Sequence, residues 1–91
     1  MKEYVVNVRN CEKGWKNNEQ YVFIGRGSKW GNPFFMKDES KRDEVIEKYK
    51  KYCIESGLAK DVSELKGKIL VCFCKPKRCH GDVLLEMLNH L

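Results

Sequence analysis

Residues 69–85, ILVCFCKPKRCHGDVLL, constrain the fold of this chain more than any other segment. Their apolar start predicts a buried strand, and the amphipathic run at residues 83–91 predicts a helix opened by Gly81 and Asp82. The residues between are therefore a strand-to-helix loop. In open α/β sheets such loops lie at the carboxyl ends of strands, where helix N-termini offer unpaired N–H groups and ligands bind.

The rest of the chain supplies two more strands and one more helix. Residues 4–8 and 21–24 are short apolar runs that predict strands, and the polar residues 11–20 between them predict a loop or hairpin. Apolar side chains recur at helical spacing over residues 45–53, with Ser40 as the expected cap and Gly57 as the stop. This order predicts a single α/β domain over residues 1–91, with a small Rossmann-like three-stranded sheet, mostly parallel, and two main helices.

The composition narrows the possible partners. The 91 residues carry a net charge of +5, but most lysines are interleaved with acidic residues, which is typical of a solvated surface. We therefore expect a small anionic ligand, weak nucleic-acid binding at most, and no membrane partner, since no apolar run is long enough to span a bilayer. The N-terminus lacks the features of a secretory signal, so the expected location is the cytoplasm. The oligomeric state stays open.

Four possible zinc ligands fall within nine residues: Cys72, Cys74, Cys79 and His80. Structural zinc sites usually draw their ligands from two separated C-x-x-C knuckles, and this cluster lacks that form. In a reducing cytosol we therefore expect reduced thiols, with no metal and no cofactor. A zinc-stabilised nucleic-acid-binding module remains an alternative.

Cys79 is the strongest candidate for a nucleophile. It lies just before a predicted helix N-terminus, after Arg78 and beside His80, and each of these features lowers a thiol pKa. A cysteine-dependent enzyme would use the Cys79 thiolate with His80 or Asp82 assisting. The simpler alternative is that Cys79 packs under the loop and Asp82 caps the helix.

The loop at residues 24–34 forms a second candidate constellation, and its glycines indicate sharp turns. Arg26 is suited to clamping a phosphate or carboxylate, Trp30 to covering the core or stacking on a base, and Asn32 to a turn or a base edge. If the strands before the two loops are parallel neighbours, both loops open onto one sheet edge and form one pocket. The predicted ligand-binding residues are Gly25, Arg26, Trp30, Gly31, Asn32, Cys74, Lys75 and Arg78. The leading hypothesis is a pocket for a nucleotide or nucleoside derivative.

The motifs at residues 24–26 (IGR), 30–34 (WGNPF), 72–76 (CFCKP) and 79–82 (CHGD) resemble, in this order and spacing, a family of small phage and bacterial proteins known as a domain of unknown function. The resemblance covers residues 21–91 and implies a phage-type protein, in the host cytoplasm if phage-encoded, without implying an activity. Gly27 departs from the pattern, where a proline is common after the arginine. The cysteine-rich strand exit is also similar to a second group of Rossmann-like bacterial proteins, which implies an α/β fold.

Overall fold

The computed structural model describes residues 3–34, 36–73, 75 and 77–90. Within these residues the strands are β1 (Tyr4–Asn7), β2 (Tyr21–Phe23) and β3 (Ile69–Cys72). The α-helices are α1 (Arg42–Ser56) and α2 (His80–Asn89). Shorter 3-10 segments cover Val8–Asn10, Trp15–Asn17, Glu39–Lys41 and Leu58–Leu65.

The sheet has the order β1-β3-β2, and both outer strands run parallel to β3. The predicted α/β class and parallel three-stranded sheet are confirmed. Residues 11–20 were predicted to form a loop or a hairpin. The hairpin is wrong, because β1 and β2 pair with opposite edges of β3 and not with each other. Since β2 and β3 are parallel neighbours, the loops that follow them leave the same edge of the sheet.

One face of the sheet packs against the helices. Leu70 of β3 and Ile24, directly after β2, are fully buried and join Tyr49 of α1 and Leu84 of α2 in one apolar core. The helical spacing predicted for residues 45–53 is confirmed, because Val45, Ile46, Tyr49 and Cys53 are the buried side chains of α1. Gly57 ends α1 in the left-handed conformation, with φ 85°, as its position predicts.

The other face is covered by the connection between β1 and β2. Side chains alternate along a strand, so Val71 and Phe73 point away from the helices, as does Phe23, whose register partner is Val71. The Trp15 ring lies 6.3 Å from the Phe23 ring between centroids, and Phe23 meets Phe73 edge to face at 5.7 Å. This face is therefore aromatic, and Phe73 is 63% exposed.

The starts of both helices differ from the sequence-based prediction. Ser40 does not cap α1; instead Asp38 accepts a hydrogen bond from the Ser40 N–H at 2.9 Å and caps the short 3-10 turn that precedes α1. In α2 the N-cap is Cys79, not Asp82, and Asp82 at the third helical position accepts from the Cys79 N–H at 3.0 Å in a capping box. An acidic residue satisfies orphan N–H groups from either position, which explains the error.

Gly81 allows the first turn of α2 to touch the sheet. A Cβ at this position would lie 2.8 Å from a methyl carbon of Ile24 and 2.9 Å from one of Val5. The N-terminus of α2 is therefore held against the carboxyl edge of the sheet. In the described ranges, no helix combines the length and the apolar character needed to cross a bilayer.

Candidate functional site

A pocket of about 550 Å³ lies at the carboxyl ends of β2 and β3, bounded by the two loops and by α1. Pockets that hold small ligands usually have volumes of about 300–1,000 Å³. Its walls are mostly apolar, with a few polar groups. The lining residues are Gly25, Arg26, Asn32, Phe34, Met36, Arg42, Val45, Ile46, Phe73, Cys79 and His80.

The loop after β2 folds tightly back on its own start. The Ser28 hydroxyl donates to the Gly25 carbonyl at 2.7 Å, and the Ser28 N–H donates to the same oxygen at 3.1 Å. A Cβ on Gly31 would lie 2.8 Å from that oxygen, so only glycine fits this close approach. The fold of the loop brings Gly25, Arg26 and Asn32 to the pocket wall. Gly31 lies outside the wall, close to the Gly25 carbonyl.

Trp30 lies under this loop and not in the pocket wall. Its side chain belongs to the apolar core and its residue is 4% exposed. The buried Tyr49 hydroxyl donates to the Trp30 carbonyl at 2.7 Å, and burial raises the pKa of Tyr49. Trp30 is therefore a core residue that anchors the loop. Its ring does not lie in the wall of this pocket, where it could stack on a ligand.

His80, the first residue of α2, joins that helix to the end of β2. Its Nε2 lies 2.6 Å from the Ile24 carbonyl oxygen, and because a carbonyl only accepts, Nε2 carries the proton and donates. The ring also packs edge to face on Tyr49, with centroids 4.9 Å apart. His80 therefore lines the pocket while one of its ring nitrogens is committed to holding the fold.

Cys79 also lines the pocket, but its thiol is enclosed. The residue is 2% exposed, and its sulfur lies 3.7 Å from that of Cys72, which is itself 1% exposed. Cys79 and His80 are consecutive residues at the start of α2, and each makes a structural contact of its own. A nucleophilic role would require substrate to reach a thiol that the core covers.

Asp82 and Lys75 pair with each other. The Lys75 ammonium lies 2.5 Å from one carboxylate oxygen of Asp82, and the other oxygen accepts from the Cys79 N–H. Neither residue is among those that line the pocket. Asp82, which was predicted to be catalytic, and Lys75, which was predicted to contact the ligand, thus form an ion pair. This pair fixes the cysteine loop, the connection between β3 and α2, to the first turn of α2.

Arg78 faces α1 and not the pocket. Its guanidinium lies 2.8 Å from Asp43 and 3.5 Å from Glu47, and the hydrogen bond to Asp43 raises the pKa of Arg78. Arg42 lines the pocket where Arg78 was predicted to do so. Arg42 donates to the Arg78 carbonyl at 2.7 Å. It also donates two hydrogen bonds of 2.9 Å to the Glu39 carboxylate, and these two bonds, together with the bond from Lys77, lower the pKa of Glu39 to about 2.

Several site residues carry no signal that marks them in the sequence. Phe73 reads as a strand residue and Arg42 as a surface residue of a helix, and only the fold brings them to one pocket. Asn7 is buried and holds the cysteine loop by donating to the Phe73 and Lys75 carbonyls at 3.2 and 2.8 Å. Phe34 belongs to the WGNPF motif, which is the one sequence signal that pointed to it.

Cys74, one of the predicted ligand-binding residues and possible zinc ligands, lies outside the described residues. Among the residues that the structure does describe, no three of the types His, Cys, Asp and Glu are grouped so that they could hold a metal ion. Cys11 and Cys53 are free thiols in this part of the chain, and the sulfurs of Cys72 and Cys79 face each other at 3.7 Å.

The fold and this edge define a small parallel α/β protein with a ligand-sized pocket at its strand-exit loops. The chain belongs to the family described as Domain of unknown function (DUF4326), whose model matches residues 6–90. It is 36% identical over 98 residues to "Uncharacterized protein R718" of Acanthamoeba polyphaga mimivirus, covering 88% of this chain and 68% of that protein.

The chain also resembles a phage protein. It is 39% identical over 75 residues to the "Uncharacterized 12.4 kDa protein in nrdA-td intergenic region" of Enterobacteria phage T4, covering 77% of this chain and 68% of that protein. These relatives support the phage-type family that the motifs predict. No solved structure matches the chain significantly.

Proposed function

We propose that this protein binds a nucleotide or nucleoside derivative in the pocket at the carboxyl edge of β2 and β3. The observation that carries the proposal is the composition of the pocket wall. Aromatic and aliphatic side chains surround a cavity of about 550 Å³, while a guanidinium, an amide and the start of α2 lie along the same wall. A nucleotide needs both kinds of surface, because its base is planar and apolar on its faces and its phosphate is anionic.

Phe34 and Phe73 supply the ring surfaces for the base. Each lines the pocket, and base-aromatic stacking contributes about 1–3 kcal/mol per base. Asn32 supplies an edge contact. Its side-chain oxygen accepts from the Phe34 N–H at 2.9 Å, which leaves the amide nitrogen as the group that would donate to the ligand.

Arg26 and the N-terminus of α2 supply the environment for the phosphate. Arg26 is an exposed residue of the pocket wall, and a guanidinium matches the geometry of phosphate oxygens. Cys79 and His80, the cap and first residue of α2, lie in the same wall, where the helix dipole favours negative charge. The ligand is therefore anionic, and longer nucleic acids are expected to bind weakly because the surface charges are mixed.

A Rossmann-like architecture is part of the proposal. β2, α1 and β3 form a strand-helix-strand unit with parallel neighbouring strands, and open parallel sheets bind nucleotides outside the carboxyl ends of such strands. The proposed setting is the cytoplasm, of the host cell for a phage-encoded chain, because free thiols such as Cys11 and Cys53 persist in a reducing compartment.

Binding is preferred over cysteine-dependent catalysis because the Cys79 thiol is covered and caps a helix. Cys79→Ser separates the two functions, since serine is a good N-cap but a weak nucleophile without an activating base. A binding protein should keep its ligand affinity within about threefold. Turnover of a nucleotide derivative that this substitution abolishes would establish the enzyme instead.

The direct test is calorimetric titration of the protein with adenosine and guanosine monophosphates. Arg26→Ala should weaken binding about tenfold or more, the effect expected for a lost charge-assisted hydrogen bond. The matched control is Lys51→Ala, which also removes one positive charge but from an exposed side chain on α1, 76% accessible and paired only with Glu55 among the described ion pairs. Equal effects of the two variants, or no binding of any nucleotide, would contradict the proposal.

A further inference from the structure

A second cavity, of about 510 Å³, lies on the aromatic face of the sheet. It is formed where the connection between β1 and β2 crosses that face. Its lining residues are Val8, Trp15, Lys16, Tyr21, Phe23 and Phe73. Four of these six side chains are aromatic, so the cavity offers ring surfaces and one ammonium group.

The rings of this cavity are tilted against one another and are not stacked. Trp15 makes angles of 54° with Tyr21 and 43° with Phe23, at centroid distances of 6.3 Å. Phe73 meets Phe23 at 81° and remains 63% exposed. An exposed aromatic ring in contact with other rings is a surface on which a further planar group can pack.

Phe73 lines both cavities. It is the first residue after β3, and its ring therefore stands between the pocket at the sheet edge and the cavity on the aromatic face. A ligand that fills both must have two planar groups and a linker that passes this ring. The two cavities, which share Phe73 as a wall, are together called the extended site.

We propose that this extended site holds a dinucleotide, meaning two nucleosides joined through phosphate, an inference that rests on the proposed function of the first pocket. One base occupies the pocket at the sheet edge and the second packs against Trp15 and Tyr21. Arg26, which lines the first pocket, and Lys16, which lines the second cavity, supply the positive charge that attracts the linking phosphate. The Lys16 ammonium lies 6.0 Å from the Trp15 ring centroid, at the same cavity as the second base.

The test compares a mononucleotide with two dinucleotides by calorimetry at one fixed salt concentration. Adenosine monophosphate measures the first pocket, adenylyl-adenosine carries a phosphodiester linker, and diadenosine diphosphate carries a pyrophosphate linker. At least one dinucleotide should bind about tenfold more tightly than the monophosphate, the gain expected from one additional stacked base. The linker that gives the gain distinguishes an oligonucleotide fragment from a pyrophosphate-linked ligand.

Two variants locate the gain in the second cavity. Lys16→Ala should reduce the dinucleotide advantage several-fold, and Trp15→Leu should remove it, while neither changes the affinity for the monophosphate. Lys13→Ala is the matched control, because it removes the same charge from an exposed position in the same connection without lining the cavity. Thermal melts should show that Lys16→Ala folds as the parent does, so the test stands even if Trp15→Leu is unstable.

The outcomes separate this inference from the proposed function. If the monophosphate binds through Arg26 but no dinucleotide binds more tightly, the extended site is wrong and the first pocket stands. If the dinucleotide advantage survives both Lys16→Ala and Trp15→Leu, the extended site is also wrong. If neither the monophosphate nor a dinucleotide binds, both proposals fail together. An advantage that disappears in these variants and persists in Lys13→Ala supports the inference.

Discussion

The two faces of the sheet differ in how completely their side chains are buried. On the helix-covered face, Leu70, Ile24 and Leu84 are fully buried and belong to one core with Tyr49. On the loop-covered face, by contrast, Phe73 is 63% exposed and Tyr4 is 47% exposed. The helix-covered face forms the main core, whereas the loop-covered face is buried at Val71 and leaves aromatic surface accessible only at residues such as Phe73, beside the candidate pocket.

The largest expected effect compares Leu70→Ala with Phe73→Ala. Leu70 is enclosed by the core, so its truncation should lower the free energy of unfolding by roughly 2–5 kcal/mol. Phe73 loses far less buried area, and the cost should be about 1 kcal/mol or less. Denaturant unfolding measures both values. Similar costs for the two variants would show that Phe73 is packed as firmly as Leu70.

Gly81→Ala tests how closely α2 approaches the helix-covered face. Inside a helix, alanine normally stabilises by up to about 1 kcal/mol relative to glycine. Here the new methyl group would meet Ile24 and Val5 below 3 Å, and such overpacking typically costs about 1–3 kcal/mol. We therefore expect a net loss of stability in thermal or denaturant unfolding. A more stable variant would mean that α2 sits farther from the sheet.

Tyr49→Phe tests the anchor beneath the first pocket. The substitution keeps the ring in the core but removes the hydroxyl that donates to the Trp30 carbonyl, leaving a buried acceptor without its partner. The expected cost is about 1–3 kcal/mol, with increased hydrogen exchange in the loop at residues 25–34. Unchanged exchange in that loop would show that Trp30 is held by packing alone.

Glu39→Gln should give the smallest effect, and it should depend on pH. The Arg42 and Lys77 bonds hold the pKa of Glu39 at about 2, below its ordinary value of 4.5, so its carboxylate stabilises the fold above pH 4.5. This contribution is lost as the pH falls from 4.5 to about 2. The melting temperatures of parent and variant should differ most at pH 5–7 and converge near pH 2. A difference that grows on acidification would contradict the assignment.

Much of the fold follows from local sequence patterns. The helical spacing at residues 45–53 specifies which side of α1 is buried, the continuous apolar run at residues 69–72 indicates a strand buried on both faces, and Gly57 marks the helix end. The helix starts were harder, because Asp38 and Ser40, or Cys79 and Asp82, are alternative caps separated by two or three residues. Local chemistry alone does not decide between such neighbours.

The candidate site divides in the same way. Arg26, Asn32, Cys79 and His80 were predicted and do line one pocket, because parallel neighbouring strands place both loops at one edge. Arg78 was predicted to face the ligand but pairs with Asp43 of α1, a residue more than thirty positions away. Which arginine faces a pocket depends on such long-range pairs, which a single sequence does not specify.

The most direct test of the central claim is a nuclear magnetic resonance titration of the isotope-labelled protein with adenosine monophosphate. If the pocket binds a nucleotide, saturable shift changes should concentrate in residues 24–34 and 78–82, with the Arg26 side chain among the most affected. Residues at the C-terminal end of α1, such as Glu55 and Ser56, should not move. No saturable change, or changes centred on the outer surface of α1, would contradict the account.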